Sequence, residues 1–297
     1  MSTPPPADLD PGVAVAPAPP RTAWGPLVPL LIAAVALGVV VLAPNLYSDP
    51  NGLDPYTLRT SGVALGLLAV SLVVPSLARA RLVLVSLVAI TLSWSAFLGG
   101  PALLGHAGVH QTGDQANLNA SLAWFGVTAV ILCLVWLVLR RDHPRLRLLH
   151  LGWGAVAFGV AGTALFFLVF LLIPASLLGR EGLPLVAVLR DAPWLVPANM
   201  LQGAAQELQF RGLLLGSLER LTSPLVANVC QSVVFGLAHL AIVYQGPVAP
   251  FVPLTILLGF VLGWVTQKTG SIWPAIIVHG VADVVVTLAV LPGLYGF

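Results

Sequence analysis

Charge is what this sequence has least of. Charged residues make up 8% of its 297 positions, against ~25% in an average soluble domain, and hydrophobic residues 58% against ~45–50%. Thirteen basic and eleven acidic side chains cannot cover a soluble globule of this size. Lysine is almost missing: Lys268 stands alone beside twelve arginines, and no basic cluster occurs outside short loops. A net charge of +2 and a pI near 8.8 therefore do not point to a nucleic-acid partner. Two cysteines, Cys133 and Cys230, exclude a disulfide framework, and both lie within apolar runs, where they read as small buried hydrophobes. Strict alternation of polar and apolar residues is also lacking, which excludes a transmembrane β-barrel.

What remains is long, continuous apolar sequence, with a mean hydropathy of +0.97. Such a chain has lipid as its main solvent, so the expected fold class is all-α, a polytopic transmembrane helical bundle. Residues 1–25 hold seven prolines and little that could pack, and read as a disordered tail without the positive n-region of a signal peptide. Nine apolar segments follow, each long enough to cross ~30 Å of hydrocarbon. They fall near Pro26–Pro44, Ser61–Leu77, Leu82–Leu104, Ser121–Leu139, Leu151–Ile173, Leu195–Leu218, Leu225–Tyr244, Phe251–Gln267 and Ile272–Tyr295. With the N-terminus inside, loop arginines and lysines divide nine to the inner side and three to the outer. That excess predicts a cytoplasmic N-terminus and an outer C-terminus in the cell membrane. The run from Asp142 to His150 contributes most to it, and Arg140 to Arg147 are placed to meet anionic headgroups.

One arginine fits neither side. Arg211 lies inside the sixth apolar segment, and Glu207, His239, His279 and Asp283 also fall within spans. Each charge at a bilayer centre costs ~2.5–3.5 kcal/mol, so such residues are expected to face a protein interior and to pair. The first five spans carry no ionisable group except a thiol. The chain thus divides into a tail (1–25), an unloaded set of helices (26–189) and a loaded domain (190–292).

The loaded residues form three short motifs, each at i, i+4 spacing. Gln206 to Gly212 reads QELQFRG, placing Glu207 and Arg211 on one face; Phe235 to His239 reads FGLAH; His279 to Asp283 reads HGVAD. Burying three separate polar faces in lipid is costly, so the three are expected to converge on one pocket. A carboxylate and two imidazoles around a cavity can activate water, bind a divalent metal, or do both. Peptide hydrolysis needs that set, and proton or ion transport needs a similar one. Transport is disfavoured because the first half holds no repeat of the loaded half.

In this order and spacing the motifs resemble the CAAX prenyl protease and bacteriocin-processing (CPBP) family of intramembrane proteases, also called the abortive-infection group. The likeness covers about residues 190–292 and includes the stretch Gly259 to Gly280, GFVLGWVTQKTGSIWPAIIVHG. The resemblance implies an intramembrane endopeptidase that hydrolyses a membrane-proximal peptide. In it Gln206 and Glu207 position water, Arg211 anchors Glu207, and His239 helps to activate the water. His279 with Asp283 stabilises the oxyanion or holds a metal. The family is commonly described as metalloproteases, so the resemblance also implies a Zn2+ site at Glu207, His239 and His279, while a glutamate–histidine route without metal has been argued for it too. Its pattern begins with two adjacent glutamates, whereas this chain has Gln206 in the first place. An amide hydrogen-bonds water but cannot take its proton, so the chain is expected either to cut weakly or to bind a peptide or partner without cutting.

Outside the motifs, His106, His110 and Asp114 recur at steps of four in a predicted exterior loop, and Asn119 to Ser121 matches a glycosylation acceptor. Gly62/Gly66, Gly212/Gly216 and Gly259/Gly263 have the spacing of close helix packing.

Overall fold

The computed structural model describes residues 55–139, 146–147, 152–172, 185–191, 193–239 and 251–290. The N-terminal tail, the first apolar segment and most of the Asp142–His150 run lie outside the described residues. Among those described the chain is helical, with no strand. A chain this apolar has no water to satisfy its peptide groups, and the helix satisfies them within each segment.

The elements follow the apolar segments closely. They are α1 (Pro55–Val73), α2 (Arg81–His106), α3 (Gly113–Leu139), α4 (Trp153–Leu172), α5 (Leu185–Asp191) and α6 (Leu195–Glu207), followed by α8 (Pro224–Ala238), α9 (Phe251–Thr269) and α10 (Trp273–Val290). Between them α6 continues through a π-helical stretch, Leu208–Leu214, into α7 (Leu215–Leu218). Four helical stretches are long and apolar enough to cross a membrane: Arg81–His106, Gln115–Val138, Trp153–Leu172 and Val252–Thr269. Leu58–Val73, Pro224–Ala238 and Trp273–Thr287 are apolar but shorter.

Local chemistry sets the breaks. Pro224 opens α8 at a position where no amide is required, and the Ser223 hydroxyl accepts from the Val226 amide at 3.4 Å. Gly270, at φ +65, ends α9 in the left-handed conformation that lets the chain turn straight into α10.

In the packing, α2 lies between α1 and α3, α3 packs on α6, and α10 packs on both α6 and α4, while α8 pairs with α9. The core is centred where the two halves of the chain meet. Trp94 of α2 and Trp124 of α3 cluster there with Phe210, Leu214 and Phe235 from the second half. The outer faces of α3 and α4 present Trp136, Val138, Leu168 and Leu172, as lipid-facing helices do.

Several details differ from the sequence reading. Cys230 is buried, but Cys133 is exposed on α3: an apolar run does not tell which of its faces meets protein and which meets lipid. His106, expected in a loop, instead closes α2, and His110 lies in the turn after it. Arg147 is held by protein, with its Nη2 donating to Glu219 Oε2 at 2.8 Å and its carbonyl accepting from the Ile272 amide at 3.2 Å. Of the glycine pairs, Gly62 and Gly66 have open space beside them, whereas Gly259 and Gly263 lie against α8.

Candidate active site

The site begins with a backbone crossing. A Cβ on Gly203 of α6 would stand 2.6 Å from the backbone of Gly280 on α10, and one on Gly280 would meet Met200 at 2.9 Å. Small residues let two helices approach this closely. One turn beyond Gly203 comes Glu207, and immediately before Gly280 comes His279. The crossing therefore brings these two side chains together, and His279 Nδ1 donates to Glu207 Oε1 at 2.6 Å.

Glu207 is the last residue of α6, and the following turn is π-helical, a local widening that recurs at functional sites. Arg211 projects from that turn back to the same oxygen, with Nη1 to Glu207 Oε1 at 2.8 Å. Both side chains are 0% exposed. A second arm of the guanidinium, Nη2, donates to the Gly259 carbonyl of α9 at 3.2 Å, and its carbon lies 4.2 Å from the centre of the Phe235 ring. On the far side of His279, Nε2 stands 3.4 Å from Asp283 Oδ1, an ion-pair distance. Both ring nitrogens of His279 thus face carboxylate oxygens, which accept and do not donate. The doubly protonated ring satisfies both, and two cations then balance two carboxylates.

His239 is joined to this cluster through Phe235. The Phe235 ring meets His239 at 4.6 Å and His279 at 5.2 Å, both edge to face. His239 Nδ1 donates to the Phe235 carbonyl at 2.7 Å. A carbonyl oxygen only accepts, so Nδ1 carries the hydrogen and Nε2 keeps the free lone pair. The two imidazoles are therefore differentiated: one is clamped between carboxylates, and the other holds an available base.

His239, His279, Asp283 and Phe235 share the wall of a cavity of about 240 Å³ with α4 and α9. The remaining wall is largely apolar, including Phe158, Phe166, Leu258 and Leu262. The structure thus assembles Glu207, Arg211, His279 and Asp283 directly and His239 through one ring. It does not join Gln206 to them. Gln206 is buried at 3% exposure, makes no bond to the cluster, and is not in the cavity wall. Its Oε1 is a buried atom without a hydrogen-bond partner, as are Glu207 Oε2, Arg211 Nε and Asp283 Oδ2.

The same geometry bears on zinc. Glu207 Oε1 already receives two charged donors and both nitrogens of His279 face carboxylates, which leaves His239 Nε2 and the second oxygens of Glu207 and Asp283 without partners. Among the described residues no group of three or more His, Cys, Asp or Glu side chains is placed to hold a metal ion. Of the expected trio of Glu207, His239 and His279, it is His279 whose ring nitrogens are both engaged in this arrangement.

Sorting the sequence by charge missed two supporting residues. Gln231 Nε2 donates to the Gly259 carbonyl at 2.9 Å, beside the Arg211 bond, and to Asn228 Oδ1 at 2.8 Å. Asn228 Nδ2 donates to the Phe260 carbonyl at 2.9 Å. These amides fill the space that Gly259 and Gly263 leave open, and a side chain at Gly263 would collide with both. Their signal was legible: Gln231, Phe235 and His239 recur every fourth residue along one face of α8.

Among the described residues the helical bundle thus sets a buried, charge-balanced cluster beside an apolar cavity. Residues 188–285 match the family model described as Type II CAAX prenyl endopeptidase Rce1-like, consistent with a CPBP family intramembrane protease. The match covers about a third of the chain and supports a membrane endopeptidase of the CAAX type. No curated protein and no solved structure matches the chain.

Proposed function

We propose that this chain is an intramembrane endopeptidase that hydrolyses a membrane-proximal peptide bond without a metal, with its catalytic groups in a C-terminal domain spanning 190–292. The reading rests on one observation above the rest: the hydrogen bonds leave His239 with a free basic nitrogen and hold His279 between two carboxylates, at the wall of one cavity. His239 Nε2 takes the proton of a water in the cavity. The oxygen adds to the scissile carbonyl, and the His279 imidazolium, oriented by Asp283 and Glu207, faces the developing oxyanion. The C–N bond then breaks, and the amine leaves with the proton that His239 returns. Arg211 holds Glu207 in place. The chain sits in the cell membrane with nine spans and a cytoplasmic N-terminus.

Gln206 favours a second reading, in which the same pocket captures a peptide or partner without cutting it. Reconstitution in liposomes with a membrane-anchored peptide library separates the two. Under the hydrolase reading the natural protein cuts slowly, and cutting persists in a chelator. His239→Ala lowers turnover by ~10²–10⁴, and Gln206→Glu, which restores the family's paired glutamates, tests whether position 206 limits it. Cleavage by neither the natural protein nor Gln206→Glu, with peptide capture lost in His239→Ala, establishes the binding reading instead.

A further inference from the structure

The helix that carries Glu207 has a second polar face. Asn199, Gln202, Gln206 and Gln209 follow one another at steps of three, four and three, so they form a row along α6 and into the π-helical turn. The row faces α3 and the end of α10. Gln202 Nε2 donates to Ser121 Oγ at 2.9 Å and lies 3.4 Å from Asn117 Oδ1. Gln209 Nε2 donates to Thr128 Oγ1 at 2.7 Å, and Ser93 of α2 lies 3.2 Å behind it. Thr287 of α10 donates to Asn199 Oδ1 at 2.8 Å. The numbers on α3 and α6 rise together, so the seam runs parallel to both helices. It starts near the exposed turn after α2, where Asn117 and Gln202 are 8% and 9% exposed, and ends at Gln209 and Thr128, both 0%.

Neutral polar residues between membrane helices commonly serve as glue. Glue accounts for the bonds that are made, but not for the atoms left over. Gln206 Oε1 and Gln209 Oε1 are buried acceptors without partners, and the indole Nε1 groups of Trp94 and Trp124 are buried donors without partners. Bonds link their neighbourhoods: Gln209 donates to Thr128, which lies one turn beyond Trp124 on α3 and meets Ser93, the neighbour of Trp94, and the two indole rings stand 4.7 Å apart, while Gln206 is one turn before Gln209. Leaving a buried polar atom unpaired costs ~1–3 kcal/mol, so four together call for a ligand that both donates and accepts. Amides, hydroxyls and indoles carry no net charge, which suits a neutral ligand and not an ion. Water meets every requirement.

We infer that the α3–α6 seam holds a file of buried water running from the α2–α3 turn to Gln206, beside the charged cluster. Its role as the supply for hydrolysis rests on the endopeptidase reading: each bond cut consumes one water, and the cavity at His239 is too apolar to deliver it. The water file itself does not depend on that reading.

Hydroxyl-radical footprinting with X-ray pulses labels side chains next to bound water, and it applies to the full chain in nanodiscs. After correction for intrinsic reactivity, Trp94 and Trp124 are expected to label several-fold faster than the equally buried Phe210 and Phe235. Gln202→Met and Ser121→Ala, chosen to preserve volume and checked for unchanged melting, should suppress that labelling. They should also lower kcat about tenfold with KM unchanged. Indoles that label no faster than the two phenylalanines overturn the file and leave glue. Labelling suppressed without a fall in kcat overturns the supply role. If no form of the protein cleaves, the endopeptidase reading and the supply role fail together, and labelling alone decides whether the file exists.

Discussion

The two faces of α6 make different seams from similar geometry. Toward α8 and α10 the helix presents Glu207 and Arg211, and the seam closes on charge: one carboxylate oxygen takes two cationic donors. Toward α3 it presents Asn199, Gln202, Gln206 and Gln209, and the seam closes on neutral amides and hydroxyls. The charged seam draws its members from the second half of the chain. The neutral seam reaches into the first half, which carries no ionisable group in its spans besides a thiol yet supplies Asn117, Ser121, Thr128 and Ser93. A search for charge therefore finds one seam and passes over the other. The costs of breaking them should differ in the same order, since a stranded charge in a dry interior is far more expensive than a stranded hydroxyl.

Arg211→Ala should give the largest effect. It leaves the two carboxylates, Glu207 and Asp283, with the His279 imidazolium as the cluster's one cation and is expected to destabilise the fold by ~3–5 kcal/mol as well as stop cleavage. Arg211→Lys keeps the charge but not the two-armed fork, so it should recover much of the stability and little of the activity. Thermal unfolding in detergent reads both, and an alanine variant that melts like the natural protein would show that the charged seam holds nothing together.

Gly203→Ala probes the crossing that builds the charged seam. The added methyl meets Gly280's backbone, so α6 and α10 must separate at a cost of ~1–3 kcal/mol. Because Glu207 and His279 sit beside that crossing, turnover should fall further than stability alone explains. Unchanged kcat in a destabilised protein would separate the crossing from the site.

Gln231→Leu removes one of the two donors on the Gly259 carbonyl and should cost ~1 kcal/mol. Its turnover should drop with KM preserved, since Arg211 loses its companion while the cavity wall keeps its shape. The smallest effect belongs to the neutral seam: Ser93→Ala loses one hydroxyl contact with Thr128, worth ~0.6 kcal/mol on average in a membrane protein. If Ser93→Ala costs as much as Arg211→Ala, the contrast between the seams is wrong.

Much of this was legible in the sequence. Continuous apolar runs placed most of the described helices within a few residues, because a helix in lipid must be apolar along its length and is interrupted by proline, glycine or charge. The i, i+4 pairing of Glu207 with Arg211 and of His279 with Asp283 was readable for the same kind of reason: local spacing fixes which side chains share a face. Their convergence followed from the cost of isolated charge in a bilayer.

What tertiary structure alone decided is which faces meet. Nothing local states that Gly203 lies on Gly280, and without that crossing Glu207 has no route to His279. Nor does the sequence tell that Gln206 stays out of the cavity wall while its neighbour enters the charged cluster. Those outcomes depend on contacts between residues as many as 77 positions apart in the chain, from Gly203 to Gly280. Lipid contributes no hydrogen bonds, so it constrains every helix to be apolar outside, but it leaves the choice of inner partners to packing.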